Sequence, residues 1–446
     1  MNLLLLLLGF RVWTGGPVEI MTRVFWVVSL FSLEMQLATW TGVATMRSLA
    51  TVNGVLAAAL LFLIPPHGPD PPTFYPRDRA NAALAALAVL VLLLNGFLPL
   101  TAADPYHLAR VDRIQAWGTL AYDAAADPKL NVLGWLYELV LADVRSIPIA
   151  GDWLVRFHGL GGLALYAIAV GAVLQMLGTS SRLAWAMACS VPVVFHQYVL
   201  VKNDLFGAVP AVLVLAWIVA RLRAASSCEV TWAAWLAGVA VGMKLTSLPL
   251  AVVLAGAILI ERRDVRVLGA AVGGAVVGLL AGGLFFTLVE NNRVYGSSVE
   301  PIRMLGNRNT SMRETGVSIG RFGISLFDMG VLTRRWWPGR GGWGGTYGLP
   351  VIWALTVLLV ARQRSEARRT LFVVTASWVL FAAAYPDADL AHRLALAPGI
   401  LVVTVAAVIA ERDAAVPRWC RLAAIPVIAL SAAQIARSAA LYLTRA

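Results

Sequence analysis

Thirteen apolar runs punctuate the 446-residue chain, at 24–43, 48–64, 81–100, 157–178, 183–201, 205–220, 231–243, 245–260, 267–289, 347–361, 370–385, 394–410 and 421–443. Most approach the ~20 residues that a helix needs to cross ~30 Å of hydrocarbon. Inside a bilayer the backbone must satisfy its own polar groups, and long runs without strict alternation do so as helices. The pattern therefore predicts an all-α integral membrane fold of about 12 to 13 transmembrane helices. The opening MNLLLLLLGF is too short for a span and lacks the basic region of a signal peptide. It is expected to be interfacial or partly inserted, with an extra span as the alternative.

The polar intervals set the orientation. Arg221 and Arg223, then Arg262, Arg263 and Arg266, then Arg362, Arg364, Arg368 and Arg369, then Arg412, Arg418 and Arg421 all fall on one side if 231–260 forms an up-and-down pair. The positive-inside rule makes that side the cytoplasm. The two long intervals, 101–156 and 290–346, then face outward together as a first and a second extracytoplasmic loop. No compositional break marks a soluble unit, so residues 1–446 read as a single transmembrane domain. Glu34, Gln36 and Arg47 are awkward for spans and are expected to face other helices or the interface.

Finer patterns sit on this frame. Gly269, Gly273, Gly274, Gly278 and Gly282 form a ladder of GxxxG spacings, and Gly238 and Gly242 repeat it; both predict close helix packing. In the first loop Leu108, Val111, Ile114 and Trp117 recur at helical spacing opposite His107, Arg110 and Arg113, which predicts a helix lying on the membrane surface.

Composition agrees with a membrane protein: 59% of residues are hydrophobic and 13% charged, against about a quarter charged in soluble proteins. The net charge of +12 is carried by arginine, with only Lys129, Lys202 and Lys244 as lysines. Arginine and alanine bias suggests a GC-rich bacterial genome. In a polytopic chain such a basic excess points to cytoplasmic anchoring and anionic membrane lipids rather than to nucleic acid. Cys189, Cys228 and Cys420 have no metal-ligand spacing, and no disulfide is expected.

Carboxylates concentrate in the first loop: Asp104 directly off a span, then Asp112, Asp123 and Asp127 before Lys129. Charge at the rim of a membrane is costly and marks a candidate site. Asp104-Pro105 and Asp127-Pro128 also fit helix starts, where the carboxylate caps and the proline presets the first helical φ. The two roles can coexist, because a helix N-terminus keeps a carboxylate ionised. The second loop carries Arg293, Arg303, Arg308, Arg313, Arg321, Arg334, Arg335 and Arg340 against Glu290, Glu300, Glu314 and Asp328. Guanidinium forks suit phosphate, so this excess points to a phosphate ester or to lipid headgroups. The run RRWWPGRGGWGGTYG, 334–348, reads as an interfacial aromatic belt, with sugar stacking as the minority alternative.

Several stretches in order resemble GT-C type membrane glycosyltransferases, particularly the branch of protein O-mannosyltransferases and lipid A aminoarabinose transferases. They are Asp104, Tyr106, Gly118, Asp127-Pro128-Lys129-Leu130, Trp135 and Arg156 in the first loop, then Lys202-Asn203-Asp204-Leu205-Phe206. LAGVAVGMKLTSLPL, 236–250, follows with Lys244, and His392-Arg393-Leu394-Ala395-Leu396-Ala397-Pro398 comes near the end. The resemblance covers about residues 85 to 410. It departs in two places: the acidic residue is followed by proline rather than by a second acid, and the lysine follows its proline.

The resemblance implies transfer of a sugar from a polyprenyl-phosphate donor to an extracytoplasmic acceptor, whether lipid, glycan or protein. Asp104 would be the base of a single displacement. Tyr106, His107, Lys129, Arg156, Lys202, Asp204, Lys244 and Arg393 would bind substrate, with cations holding the departing phosphate. No cofactor is implied with certainty; a divalent cation is compatible with the acidic loops, although no ligand spacing supports one. The alternative is a transporter or flippase for lipid-linked sugars, which would use the helix break at Lys244 as a mid-membrane site. No inverted repeat is visible, and the two large outer loops argue against that alternative.

Overall fold

The computed structural model describes residues 1–12, 15–63, 79–97, 105–123, 131, 134–199, 204–262, 264–299, 348–384 and 396–443. Among these residues there are nineteen α-helices and no strand. Helices α1 (Asn2–Gly9), α2 (Pro17–Thr41), α3 (Met46–Leu63) and α4 (Arg79–Phe97) precede the first loop. Helices α5 (Pro105–Trp117), α6 (Leu136–Arg145) and α7 (Gly151–Arg156) belong to it. Then come α8 (His158–Met176), α9 (Arg182–Cys189), α10 (Pro192–Val199), α11 (Asp204–Ala220), α12 (Ser227–Met243), α13 (Leu248–Glu261), α14 (Val265–Ala281) and α15 (Leu284–Tyr295). Helices α16 (Leu349–Val360), α17 (Ser365–Ala384), α18 (Leu396–Arg412) and α19 (Arg418–Leu443) close the chain.

The protein is an all-helical membrane protein. Among the described residues α8, α17 and α19 are long and apolar enough to span singly, and α14 with α15 forms a fourth candidate bent by 56°. Six further apolar helices, including those at Asp204–Ala220 and Ser227–Met243, are shorter. At the centre stand α11 and α18, buried on every side from Asp204 to Val219 and from Leu396 to Ala410. Such all-round apolarity is what a helix enclosed by other helices requires.

The up-and-down pair expected at 231–260 is present. Helix α12 starts with a capping box at Ser226 and Glu229, runs to Lys244, and turns through Leu245–Ser247 into α13. Arg223 pairs with Glu261 at 2.8 Å and Arg364 with Asp413 at 2.7 Å, so these arginine-bearing turns tie neighbouring helix ends together at one pole, the basic end. The first loop gathers at the other pole, where Met46 N donates to Gly118 O at 2.8 Å and Leu120 N to Thr39 Oγ1 at 2.9 Å.

Two of the apolar runs are interrupted. The run at 183–201 breaks at Ser190 and Val191, ahead of Pro192, and the Tyr166 hydroxyl donates to the buried Ala188 carbonyl at 2.9 Å. The run at 267–289 bends at Gly282-Gly283, where Gly283 has φ +83°. There Ser32 Oγ donates to Ala281 O and Gln36 Nε2 to Leu280 O, which re-satisfies carbonyls freed by the bend. Gln36 thus faces another helix, as does Glu34, whose Oε2 accepts from Asn53 Nδ2 at 3.0 Å. Arg47 is exposed at the head of α3.

The glycine ladder packs, but on a narrower face than its spacing implies. A Cβ on Gly274 would collide with Thr231, one on Gly278 would lie 2.9 Å from Gly238 Cα, and one on Gly282 would lie 2.9 Å from Gly242 Cα. Gly269 and Gly273 meet nothing within 4 Å. The opening segment is an eight-residue helix packed on α2 and α3, with Leu3 and Leu6 buried.

The division of the helix at 108–117 into an apolar and a solvated polar face is not kept. Val111 and Ile114 are buried, but so are His107 and Arg110 from the opposite face, while Trp117 is exposed. Polar residues turn inward here because a buried carboxylate on α6 receives them.

Candidate functional site

Asp204 opens α11 and Lys244 ends α12, and the two side chains form an ion pair. Local sequence explains both positions. Leu248-Pro249 starts α13 and forces the chain to turn at Lys244, whose backbone is extended. Asp204 at a helix N-terminus and Lys244 at a helix C-terminus each have the charge that the adjoining backbone dipole favours. The Asp204 side chain is 1% exposed and that of Lys244 14%. Gly207, one turn into α11, leaves room for the lysine: a Cβ there would meet Lys244 Cβ at 3.3 Å.

This pair forms part of the wall of a cavity enclosing about 440 Å³, its open mouth included. The wall also includes Thr246, Ser247, Ser377 and Phe381, and from α18 Ala397 and Pro398. It is therefore a mostly apolar hollow with one ion pair and three hydroxyls, the composition of a small-molecule site. Ala397 and Pro398 close the His392–Pro398 motif, so its end borders the same space as Asp204 and Lys244.

The first loop docks directly on this hairpin. A Cβ on Gly134 would lie 2.9 Å from Gly242 O and closer still to Met243 O. Gly134 O accepts from Arg110 Nη1 at 2.9 Å, and the same nitrogen donates to Glu138 Oε1 at 3.1 Å. His107 Nδ1 lies 2.7 Å from that carboxylate oxygen. His107, Arg110 and Glu138 are all 2% exposed or less. Burial pushes the Glu138 carboxyl up, and the Arg110 guanidinium with the His107 hydrogen bond outweighs it, so Glu138 is held below its ordinary value. Tyr137 bridges the two groups, its ring 5.8 Å from His107 and 5.7 Å from Phe206 of α11. Tyr106 lies against His107 with ring centroids 4.0 Å apart.

The start of the second loop joins the first. Asn131 Nδ2 donates to the Tyr295 hydroxyl at 2.6 Å, and Asn131 Oδ1 accepts from Arg113 at 2.7 Å. Trp135 sits over Gly283 at the bend between α14 and α15.

Of the residues singled out in the sequence, the structure thus brings His107, with Tyr106 against it, within one aromatic step, through Tyr137, of α11, which Asp204 opens. Arg156 is used differently: its guanidinium donates to the carbonyls of Asn95 at 3.2 Å and Gly96 at 2.6 Å, closing the end of α4. Asp112 pairs with Arg145, which also binds Asp152 at 2.7 Å, all on the surface. Asp104, Asp127, Lys129, Lys202 and Arg393 lie outside the described residues. Glu138 was missed, although a lone carboxylate in the apolar stretch LGWLYELVL was its visible signal. Among the described residues no three His, Cys, Asp or Glu side chains come together as metal ligands would. No protein-family model matches the chain, and no curated protein matches it.

Proposed function

We propose that the protein is a GT-C-like membrane glycosyltransferase that moves a sugar from a polyprenyl-phosphate donor to an acceptor at the loop end of the bundle. The observation that carries this reading is the buried Asp204–Lys244 pair on the wall of a cavity at that end. Lys244 would meet the donor's phosphate, and the reading gives the same role to Lys202, Arg393 and the second-loop arginines. The base is Asp104, one residue before α5, the helix that holds His107. The reading further takes the chain as a multi-pass bacterial inner-membrane protein of about 12 to 13 spans, with the basic end cytoplasmic.

The test is product analysis with purified protein in vesicles and a labelled polyprenyl-phosphate sugar. The expected outcome is a new covalent glycoside, lost in Asp104→Ala and in Lys244→Ala. A folded Asp104→Ala enzyme with full transfer removes the base assignment. The interrupted spans α9–α10 and α14–α15 favour a second reading, a flippase for the same lipid. Movement of label across the bilayer with no new glycoside would select it.

A further inference from the structure

Helix α19 buries three polar residues beside Ala424, Ile435 and Ala439 while it exposes large apolar ones. Ser431, Gln434 and Ser438 recur at three- and four-residue spacing and so share one face. They are 0%, 4% and 4% exposed, while Leu422, Ile425 and Leu430 stand 53%, 66% and 48% exposed on the other side. Among the described residues neither Ser431 Oγ, nor Ser438 Oγ, nor either polar atom of the Gln434 amide has a hydrogen-bond partner. Helix α10, which packs against α19, carries Gln197, 3% exposed and likewise without a partner at either amide atom. A Cβ on Gly348 would lie 3.4 Å from Gln434 Oε1 and 3.5 Å from the Pro192 ring, which puts this amide beside the first turn of α10, just after the break in the 183–201 run.

A membrane interior gives buried amides and hydroxyls no solvent to bond, so an array of them is retained where something else bonds them. From this array we infer a binding site, between α10 and α19, for an uncharged hydroxyl-bearing group, such as the sugar headgroup of an amphiphile or a free sugar. Each glutamine amide offers donors and an acceptor and each serine hydroxyl both, which matches neighbouring hydroxyls. The four side chains of the array are themselves uncharged, and among the residues from 422 to 439 the only ionisable one, Arg437, is exposed. The site is separate from the Asp204–Lys244 cavity, and the inference does not depend on glycosyl transfer.

The experiment holds the full-length protein in a polyether detergent and follows its thermal midpoint as octyl glucoside, free glucose or an eight-carbon polyether of equal chain length is added. A saturable rise of about 2–4 °C with octyl glucoside and none with the polyether is expected. A rise with glucose as well assigns a soluble sugar, and a rise with the glucoside alone assigns a lipid-borne one; either supports the site. Gln434→Leu should abolish the rise, and the Ser431→Ala/Ser438→Ala pair serves the same purpose if that variant does not fold. No saturable rise in the wild type, or the same rise in wild type and variants, would overturn the inference.

Discussion

Gly134 in the first loop and Met243 at the end of α12 touch backbone to backbone, so that no side chain fits between the loop and the hairpin bearing Lys244. Gly134→Ala must push the two apart. It should lower stability by about 1–3 kcal/mol and loosen the Arg110 bond to Gly134 O. Thermal unfolding in detergent checks the first effect, and protease sensitivity of the loop checks the second.

The Asp204–Lys244 pair separates a structural from a functional role. Lys244→Ala leaves a carboxylate buried without its cation and should cost about 3–5 kcal/mol. Replacing both by leucine removes the stranded charge and should recover most of that stability. If the pair serves the proposed transfer, the double variant folds and is inactive, which parallel measurement of unfolding and glycoside formation reads directly.

Acid should act through Glu138. Its folded-state carboxyl lies below the ordinary 4.5, so the stability it contributes is complete above about that pH and is lost as pH falls through the folded value. Glu138→Gln should cost stability at neutral pH and flatten the decline of the thermal midpoint as pH falls below the ordinary 4.5. An unchanged slope would mean that other carboxylates govern acid unfolding.

Two glycines of one ladder should answer oppositely to the same change. Gly278→Ala meets Trp235 O and Gly238 Cα and should destabilise by about 1–3 kcal/mol. Gly273→Ala enters open space within a helix and should be neutral or gain up to about 1 kcal/mol. Unfolding of the two purified variants side by side is the measurement.

Sidedness can be read from a native thiol. Cys228 is exposed at the basic end, while Cys420 is buried. A membrane-impermeant maleimide should label Cys228 in inverted vesicles and spare it in intact cells. The reverse pattern would turn the bundle over.

Hydrophobic periodicity made the helices legible, and the two poles followed from where arginines recur in short turns. The breaks at Ser190 and Gly283 were less visible, because a run stays apolar through a kink and only Pro192 and Gly282-Gly283 signal it. Pairings across the chain were legible only in part. Asp204 and Lys244 stood out as polar residues at helix ends, but that they meet depends on how α11 and α12 pack. Periodicity led astray at α5, where moment and burial part company: His107 and Arg110 look like a solvated face until Glu138, about thirty residues on, supplies the buried charge that draws them in. Arg156 shows the same limit, since an arginine before a span signals its charge but not the carbonyls it will bond.

Asp143 of α6 supplies the missing first turn of α1: its two carboxylate oxygens accept from the backbone of Asn2 at 2.9 Å and of Leu3 at 2.8 Å. These partners are about 140 residues apart in the chain. A ribosome therefore delivers α1 long before its cap exists, and α2 to α5 are made in the meantime. Folding of this corner therefore runs in reverse, a segment made early having to wait for a later one to reach it and lock it.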